Sequence, residues 1–141
     1  MGVLADLILA ESADMQAIIA CEYPLGTYKG GNADGLDPLM LAELHALLGG
    51  QEYSAVLPEY RPTLQASEQG PWLIRIPPDL VRRLADLPPQ DYGATASRWA
   101  AGEQMREQAI EDEQAEQLLE RTAFLAQTAA FEGKELFLTI Y

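Results

Sequence analysis

The side chains that most often carry out covalent or metal chemistry are scarce in this chain, which has one histidine, His45, and one cysteine, Cys21. His45 lies beside Leu44 in a segment with helical spacing. An imidazole can bind a ligand or act as a general base, but a zinc site needs several His, Cys or acidic ligands, and a catalytic thiol needs a paired base. We therefore predict no metal site, no cofactor and no catalytic residue. His45 is kept as a candidate ligand-binding residue, and both side chains are expected to pack partly against the core.

The glycine-rich stretch GTYKGGNADG, residues 26–35, resembles two known binding loops and matches neither. A phosphate loop needs a Lys after its glycines, whereas Lys29 precedes Gly30. A calcium loop needs Asp at its first position and Glu at its twelfth, which are here Gly30 and Leu41. The stretch has no apolar period, so it is predicted to be a surface loop. If the loop binds a ligand, Tyr28 and Lys29 are the residues expected to contact it.

A carboxylate interrupts the first apolar run of the chain, VLADLILA, residues 3–10. A buried carboxylate is costly unless it has a partner, so Asp6 is expected to pair with Arg75, which lies in the second apolar strand-like run. A structural ion pair is the first interpretation of Asp6. The alternative is a catalytic carboxylate, since perturbed acids also occur at active sites.

Acidic residues outnumber basic ones by 22 to 9, which gives a net charge of −13. This balance argues against binding of nucleic acid through its phosphates, which requires clustered Lys and Arg. Glu103, Glu107 and Glu111 recur every four residues, a spacing that destabilises a helix by charge repulsion. These carboxylates therefore form either a solvated face or a surface that docks a basic protein.

Three short apolar runs and several helical segments organise these residues. Strands are predicted at 3–10, 72–76 and 135–141, and the last of them is expected to lie inside the sheet because both of its faces are apolar. Asp37-Pro38 and Gly49-Gly50 mark the start and end of one helix. A second long helix ends near Gly133, and an acidic helical region is predicted from 94 to about 110. We predict a single α+β domain, 1–141, with a small sheet of three or slightly more strands packed against several helices.

Hydrophobicity indicates no membrane association, since no apolar run approaches the roughly 20 residues needed to span a bilayer. The start of the chain lacks the pattern of a signal peptide, and the single cysteine rules out an internal disulfide. A cytoplasmic location is therefore expected.

Four stretches resemble the YfbM-like family, small bacterial proteins of unknown function. LHALLGG (44–50) is similar to the family signature Leu-His-x-Leu-Leu-x-Gly. The start MGVLADLIL, the strand-helix segment IRIPPDLVRRLADL and the closing LAQTAAFEGKELFLTIY follow the family order. The chain departs from the family pattern before Leu44, where a Trp-His pair is absent, and at Tyr141, where a Trp-containing strand is more usual. The resemblance implies an α+β fold and a bacterial origin, and it brings no catalytic residues.

Three function classes remain open on these observations. The first is a non-catalytic binding or accessory protein that uses the acidic helical face or the glycine-rich loop, with a basic protein as partner. The second is a small-molecule or hydrolytic enzyme that uses His45 and carboxylates such as Asp6. The third is a homodimeric structural module whose interface involves the aromatic-rich segment 53–72.

Overall fold

The computed structural model describes residues 4–141 and shows one antiparallel five-stranded sheet in the order β2-β1-β5-β4-β3. The strands are β1 (Ala5–Ala10), β2 (Gly30–Asn32), β3 (Leu64–Gln65), β4 (Trp72–Arg75) and β5 (Glu135–Ile140). The helices are α1 (Met15–Ala20), α2 (Pro38–Gly49), α3 (Tyr53–Val56), α4 (Pro78–Asp86), α5 (Tyr92–Ala100), α6 (Glu103–Glu107) and α7 (Asp112–Glu132). Single 3₁₀ turns lie at Ser12–Asp14, Pro24–Gly26, Leu57–Tyr60 and Pro89–Asp91. No helix of this described part of the chain is long and apolar enough to cross a membrane.

The three predicted strands form the centre of the sheet, which confirms the α+β prediction. β5 lies between β1 and β4, so Leu138 is paired with Leu7 on one side and with Ile74 on the other. The expectation that the last strand lies inside the sheet is therefore correct. Val3, the first residue of the first predicted strand, lies outside the described residues. The sheet is larger than the three strands predicted, because short edge strands extend it on both sides.

Both edge strands lie in segments whose sequences predict irregular structure. β2 occupies part of the glycine-rich loop, so the prediction of a surface loop is wrong for 30–32. Glycines have low strand propensity, but here one is required: a Cβ at Gly30 would overlap the carbonyl oxygen of Leu7 in the neighbouring strand. β3 lies within 51–70, which is broken by Pro58 and Pro62, and it has two residues.

Apolar side chains cover both faces of the sheet. This explains why most positions of β1 and β5 are apolar, and not only every second one. Leu7, Leu9 and Leu138 belong to the main core cluster, which also contains buried residues of α2, α4, α5 and α7. Ile8 and Phe137 point to the opposite face, where Ile18 of α1 covers them. The long helix α7 packs against α4 and α5 and lies on β1 and β5.

The predicted helix boundaries are confirmed where the capping residues are strong. Asp37 is the N-cap of α2, and its Oδ1 accepts a hydrogen bond from the Met40 amide at 2.8 Å. Gly50 and Gly133 follow α2 and α7 in the left-handed conformation, with φ of 62° and 68°. Glycine adopts this conformation without the steric cost that a Cβ imposes.

Thr139 provides a test of the central strand. Its side chain is 1 % exposed, and its Oγ1 has no hydrogen-bond partner within residues 4–141. A buried hydroxyl without a partner costs about 1 kcal/mol or more, so Thr139→Val is expected to raise the free energy of unfolding by about 1 kcal/mol. Urea denaturation measures this change.

Thr122 is the matched control, because it is equally buried but its Oγ1 donates to the Leu118 carbonyl at 2.7 Å. Thr122→Val is expected to leave stability unchanged or to lower it. An equal loss of stability in both variants would show that the Thr139 hydroxyl has a hydrogen-bond partner.

Candidate functional site

His45 lies at the centre of a buried hydrogen-bonded chain that joins three elements. The residue is 1 % exposed. Its Nδ1 is 2.8 Å from the Tyr60 hydroxyl, in the 3₁₀ turn after α3, and its Nε2 is 2.9 Å from Asp79 Oδ2, in the first turn of α4. Both ring nitrogens of His45 are therefore engaged within the protein.

The protonation states in this hydrogen-bonded chain of side chains follow from Asp79, its acidic member. Hydrogen bonds from His45 and Arg83 lower the pKa of Asp79 to about 2, so Asp79 is ionised at neutral pH. His45 therefore donates from Nε2 to Asp79, and in its neutral form it accepts at Nδ1 from the Tyr60 hydroxyl. Burial raises the pKa of Tyr60, which keeps its proton in place. Arg82 also donates to Asp79, at 2.5 Å, and completes the network.

The ion pair predicted between Asp6 and Arg75 is not formed. The Arg75 guanidinium contacts the Glu135 carboxylate, and Asp6 Oδ2 accepts a hydrogen bond from the Tyr141 hydroxyl at 2.7 Å. β5 lies between the strands that carry Asp6 and Arg75, so two strand spacings, roughly 10 Å, separate them. Asp6 is 8 % exposed, and its hydrogen-bond partner is a tyrosine that is itself 43 % exposed rather than an arginine.

The predicted acidic stripe does not lie on one helix. Glu103 and Glu107 belong to α6, whereas Glu111 is the N-cap residue of α7 and forms a capping box with Gln114. Between them the chain turns at Ala109, whose φ is 56°. The prediction of one continuous acidic face over Glu103, Glu107 and Glu111 is therefore wrong, although all three side chains are exposed.

A different acidic cluster forms where α2, α3 and α6 meet, and we name Glu43, Tyr53, Glu103 and Glu107 the Glu43 patch. Burial raises the pKa of the Tyr53 hydroxyl above its usual value, and the neighbouring carboxylates of Glu43, Asp37, Glu103 and Glu107 raise it further. Glu43 Oε2 accepts a 3.3 Å hydrogen bond from the Gln104 amide. Its Oε1 is buried and has no partner within residues 4–141.

Two residues fix the position of α6 against the Glu43 patch. Met105 is fully buried in the main core and anchors the helix. Gly102, just before α6, has no side chain, and a Cβ there would overlap the Glu43 carboxylate. The glycine thus leaves the space that the Glu43 side chain occupies.

The carboxylates of the patch form no salt bridge within the residues that the structure describes. In the part of the chain that the structure describes, no Lys, Arg or His nitrogen lies within 4.0 Å of Glu43, Glu103 or Glu107. By contrast, Asp79 and Glu135 both have arginine partners. No group of three or more His, Cys, Asp or Glu residues among 4–141 is arranged to hold a metal ion. The carboxylates of the patch are therefore suited to a cationic group of a partner.

The glycine-rich loop lines an open groove of about 610 Å³ between the edge of the sheet and α7. Tyr28 and Lys29, the predicted ligand-binding residues of this loop, both line the groove, and Phe124 of α7 lines the opposite side. The Lys29 ammonium is 2.7 Å from Glu132 Oε2. His45, the third predicted ligand-binding residue, lies in the buried chain described above and does not line this groove.

Glu43 has no role in the sequence-based predictions, and Tyr53 appears in them only within the segment 53–72 expected at a homodimer interface. Glu43 lies in a helix whose other residues are mostly apolar, PLMLAELHALLG, and it is the only acidic residue of that segment. Its isolation among apolar residues is a weak sequence signal. The proximity of Glu103 and Glu107 to it depends on how α6 packs. The aromatic residues Tyr53, Tyr60 and Trp72, expected at a homodimer interface, are buried in the main core or packed against it.

Comparison of this chain with family models, with curated proteins and with solved structures finds no match.

Proposed function

We propose that this protein is a non-catalytic binding protein that docks a basic partner protein on the Glu43 patch. The observation that carries the proposal is the Glu43 carboxylate, which has one buried oxygen without a partner among residues 4–141 and lies near Tyr53 together with the exposed carboxylates of Glu103 and Glu107. An unsatisfied buried carboxylate oxygen is costly. A cation docked on the exposed carboxylates of Glu103 and Glu107 would lie beside the Glu43 carboxylate, and the three negative charges would attract it together.

An arginine or lysine side chain fits the chemistry of the patch. Glu103 and Glu107 lie one helical turn apart on α6, so their carboxylates can approach the same cation. The half-buried Tyr53 adds an aromatic ring beside these acids, and a cation over such a ring is attracted to its face. Arginine matches this set of acceptors better than lysine does, because its planar group donates in several directions.

The net charge of −13 supports the same class of partner, because it attracts basic proteins over a distance. Electrostatic attraction of this kind mainly speeds association and weakens with salt. A cytoplasmic location and membership of the YfbM-like family are parts of the same proposal, and they rest on the sequence patterns alone.

The double variant Glu103→Gln plus Glu107→Gln tests the proposal. The probe is a short synthetic peptide of alternating Arg and Ser, labelled for fluorescence anisotropy. We expect the variant to bind the peptide about tenfold more weakly at low ionic strength, because two charges next to the cation are lost. At physiological salt the difference is expected to shrink to about threefold.

The matched control is Glu22→Gln plus Glu68→Gln, which removes the same charge from exposed positions outside α2, α3 and α6. This control is expected to weaken binding by about twofold or less, through net charge alone. Equal losses in the two double variants would contradict local docking and would show that the peptide responds only to the overall charge.

A further inference from the structure

Two phenylalanine side chains project from α7 into solvent. Phe124 is 64 % exposed and Phe131 is 91 % exposed. They lie seven residues apart, which places them two turns apart on the same face of the helix. Most of the other apolar residues of α7, including Leu119, Leu125 and Ala126, face the core. Neither phenylalanine belongs to the Glu43 patch or to the core clusters.

The groove beside the glycine-rich loop extends the apolar surface around Phe124. Leu25, Tyr28 and Thr128 line the groove together with Phe124. Leu25 and Tyr28 are partly buried, so they present apolar area without being covered completely. Exposed phenylalanines beside an apolar groove are typical of a surface that binds another protein.

The same helical stripe is acidic at its other end. Glu113, Gln117 and Glu120 precede Phe124 at intervals of three and four residues, and all three are exposed. The outward stripe of α7 thus carries two carboxylates, Glu113 and Glu120, in its first half and two phenylalanines in its second half. From Glu113 to Phe131 it spans roughly 27 Å, at the helical rise of 1.5 Å per residue.

A second copy of this chain does not complement this stripe. Parallel pairing of two α7 helices would place the acidic halves against each other and repel. Antiparallel pairing would place Glu113 and Glu120 against Phe131 and Phe124, and would remove carboxylates from water without giving them a partner. The net charge of −13 on each copy opposes both arrangements. A cation-bearing partner relieves both conflicts.

We infer that the outward stripe of α7, with the groove beside the glycine-rich loop, docks an amphipathic helix of a partner protein that is basic at one end and apolar at the other. The basic end lies over Glu113 and Glu120, and the apolar end covers Phe124 and Phe131 and reaches the groove. Docking of an amphipathic helix into an apolar groove is a general mode of recognition. Charge complementarity at the acidic half fixes the direction of the helix.

The experiment uses three synthetic helical peptides and the full chain. The first peptide has Leu on one face of its first half and Lys in its second half. The second has Ser in place of Leu, and the third has Glu in place of Lys. Affinity is measured by fluorescence anisotropy with the wild-type protein and with three variants. Two are double variants, Phe124→Ser plus Phe131→Ser and Glu113→Gln plus Glu120→Gln, and the third is the single variant Leu39→Ser.

We expect the Phe124→Ser plus Phe131→Ser variant to bind the Leu/Lys peptide at least tenfold more weakly, because buried aromatic anchors dominate such interfaces. Leu39→Ser removes an exposed apolar residue of α2 that lines a different groove, and it is expected to change affinity by less than about twofold. The Glu113→Gln plus Glu120→Gln variant is expected to bind about threefold more weakly at low salt. The Ser/Lys and Leu/Glu peptides are expected to bind far more weakly to the wild-type protein.

Three results would overturn the inference. The first is an affinity for the Leu/Lys peptide that is unchanged in the Phe124→Ser plus Phe131→Ser variant. The second is an equal affinity of the wild-type protein for the Leu/Glu and the Leu/Lys peptides, which would show that Glu113 and Glu120 do not contribute to the site. The third is a wild-type dimer in sedimentation velocity that Phe131→Ser converts to monomer, which would make a second copy the occupant. Both phenylalanines are exposed, so their replacement is expected to leave the melting temperature unchanged.

Discussion

Replacing His45 by alanine is expected to lower the free energy of unfolding by about 3 kcal/mol. The substitution leaves a buried cavity and removes both hydrogen bonds of the imidazole. The Tyr60 hydroxyl, 2.8 Å from Nδ1, then has no acceptor in a side chain that is 3 % exposed. Asp79 loses less, because Arg82 and Arg83 still bind it. Equilibrium denaturation in urea measures the loss.

Tyr60→Phe is the graded control, because it removes the hydroxyl and keeps the ring. It is expected to cost about 1 kcal/mol, and the double variant His45→Ala plus Tyr60→Phe is expected to lose less than the sum of the two single losses. A loss below about 1 kcal/mol for His45→Ala would contradict the assignment of His45 as the structural link between α2, the 3₁₀ turn and α4.

Replacing Gly30 by alanine is expected to destabilise the protein by about 2 kcal/mol. A Cβ at this position would overlap the carbonyl oxygen of Leu7, which belongs to the backbone of β1. A backbone atom inside a sheet cannot move aside as a flexible side chain can, so β2 must shift away from β1. The change is measured by urea denaturation, and hydrogen exchange of the Leu9 amide, which donates to the Lys29 carbonyl at 2.8 Å, reports whether β2 separates.

The adjacent glycine provides the control for this prediction. A Cβ at Gly31 would lie 3.5 Å from a Leu125 methyl group and 3.9 Å from the Arg121 side chain, which are ordinary contact distances. Gly31→Ala is therefore expected to change stability by less than about 1 kcal/mol. If the two alanine variants are equally stable, Gly30 is not required by the pairing of β1 with β2.

The central part of the fold follows from local sequence signals. The apolar runs 5–10, 72–75 and 135–140 can be predicted as strands, because short and largely apolar runs between turn or cap signals are typical of buried strands. Asp37-Pro38 and Gly50 fix the ends of α2 through the hydrogen bonds and the left-handed turn that these residue types favour. Such signals depend on neighbours in sequence, so they can be read without the structure.

The edges of the sheet and the acidic patch depend on packing between distant segments. β2 is a strand because Gly30 and Gly31 lie beside β1, and a glycine run carries no strand pattern of its own. The acidic spacing of Glu103, Glu107 and Glu111 suggests one continuous face, but Ala109 adopts a positive φ after α6 and separates Glu111 from the other two. Asp6 faces Tyr141 rather than Arg75 because β5 lies between β1 and β4, and strand order cannot be read from strand sequences.

Docking of a cation on the Glu43 patch is expected to perturb the Gln104 amide, because this amide donates to Glu43 Oε2. The most direct measurement is a titration of ¹⁵N-labelled protein with the Arg/Ser peptide, followed by heteronuclear NMR. We expect the largest amide shifts at Gln104 and at its α6 neighbours Glu103 and Glu107, and we expect Glu43→Gln to abolish the shift at Gln104. Shifts spread evenly over all acidic surfaces, with Gln104 unaffected, would contradict docking on the Glu43 patch.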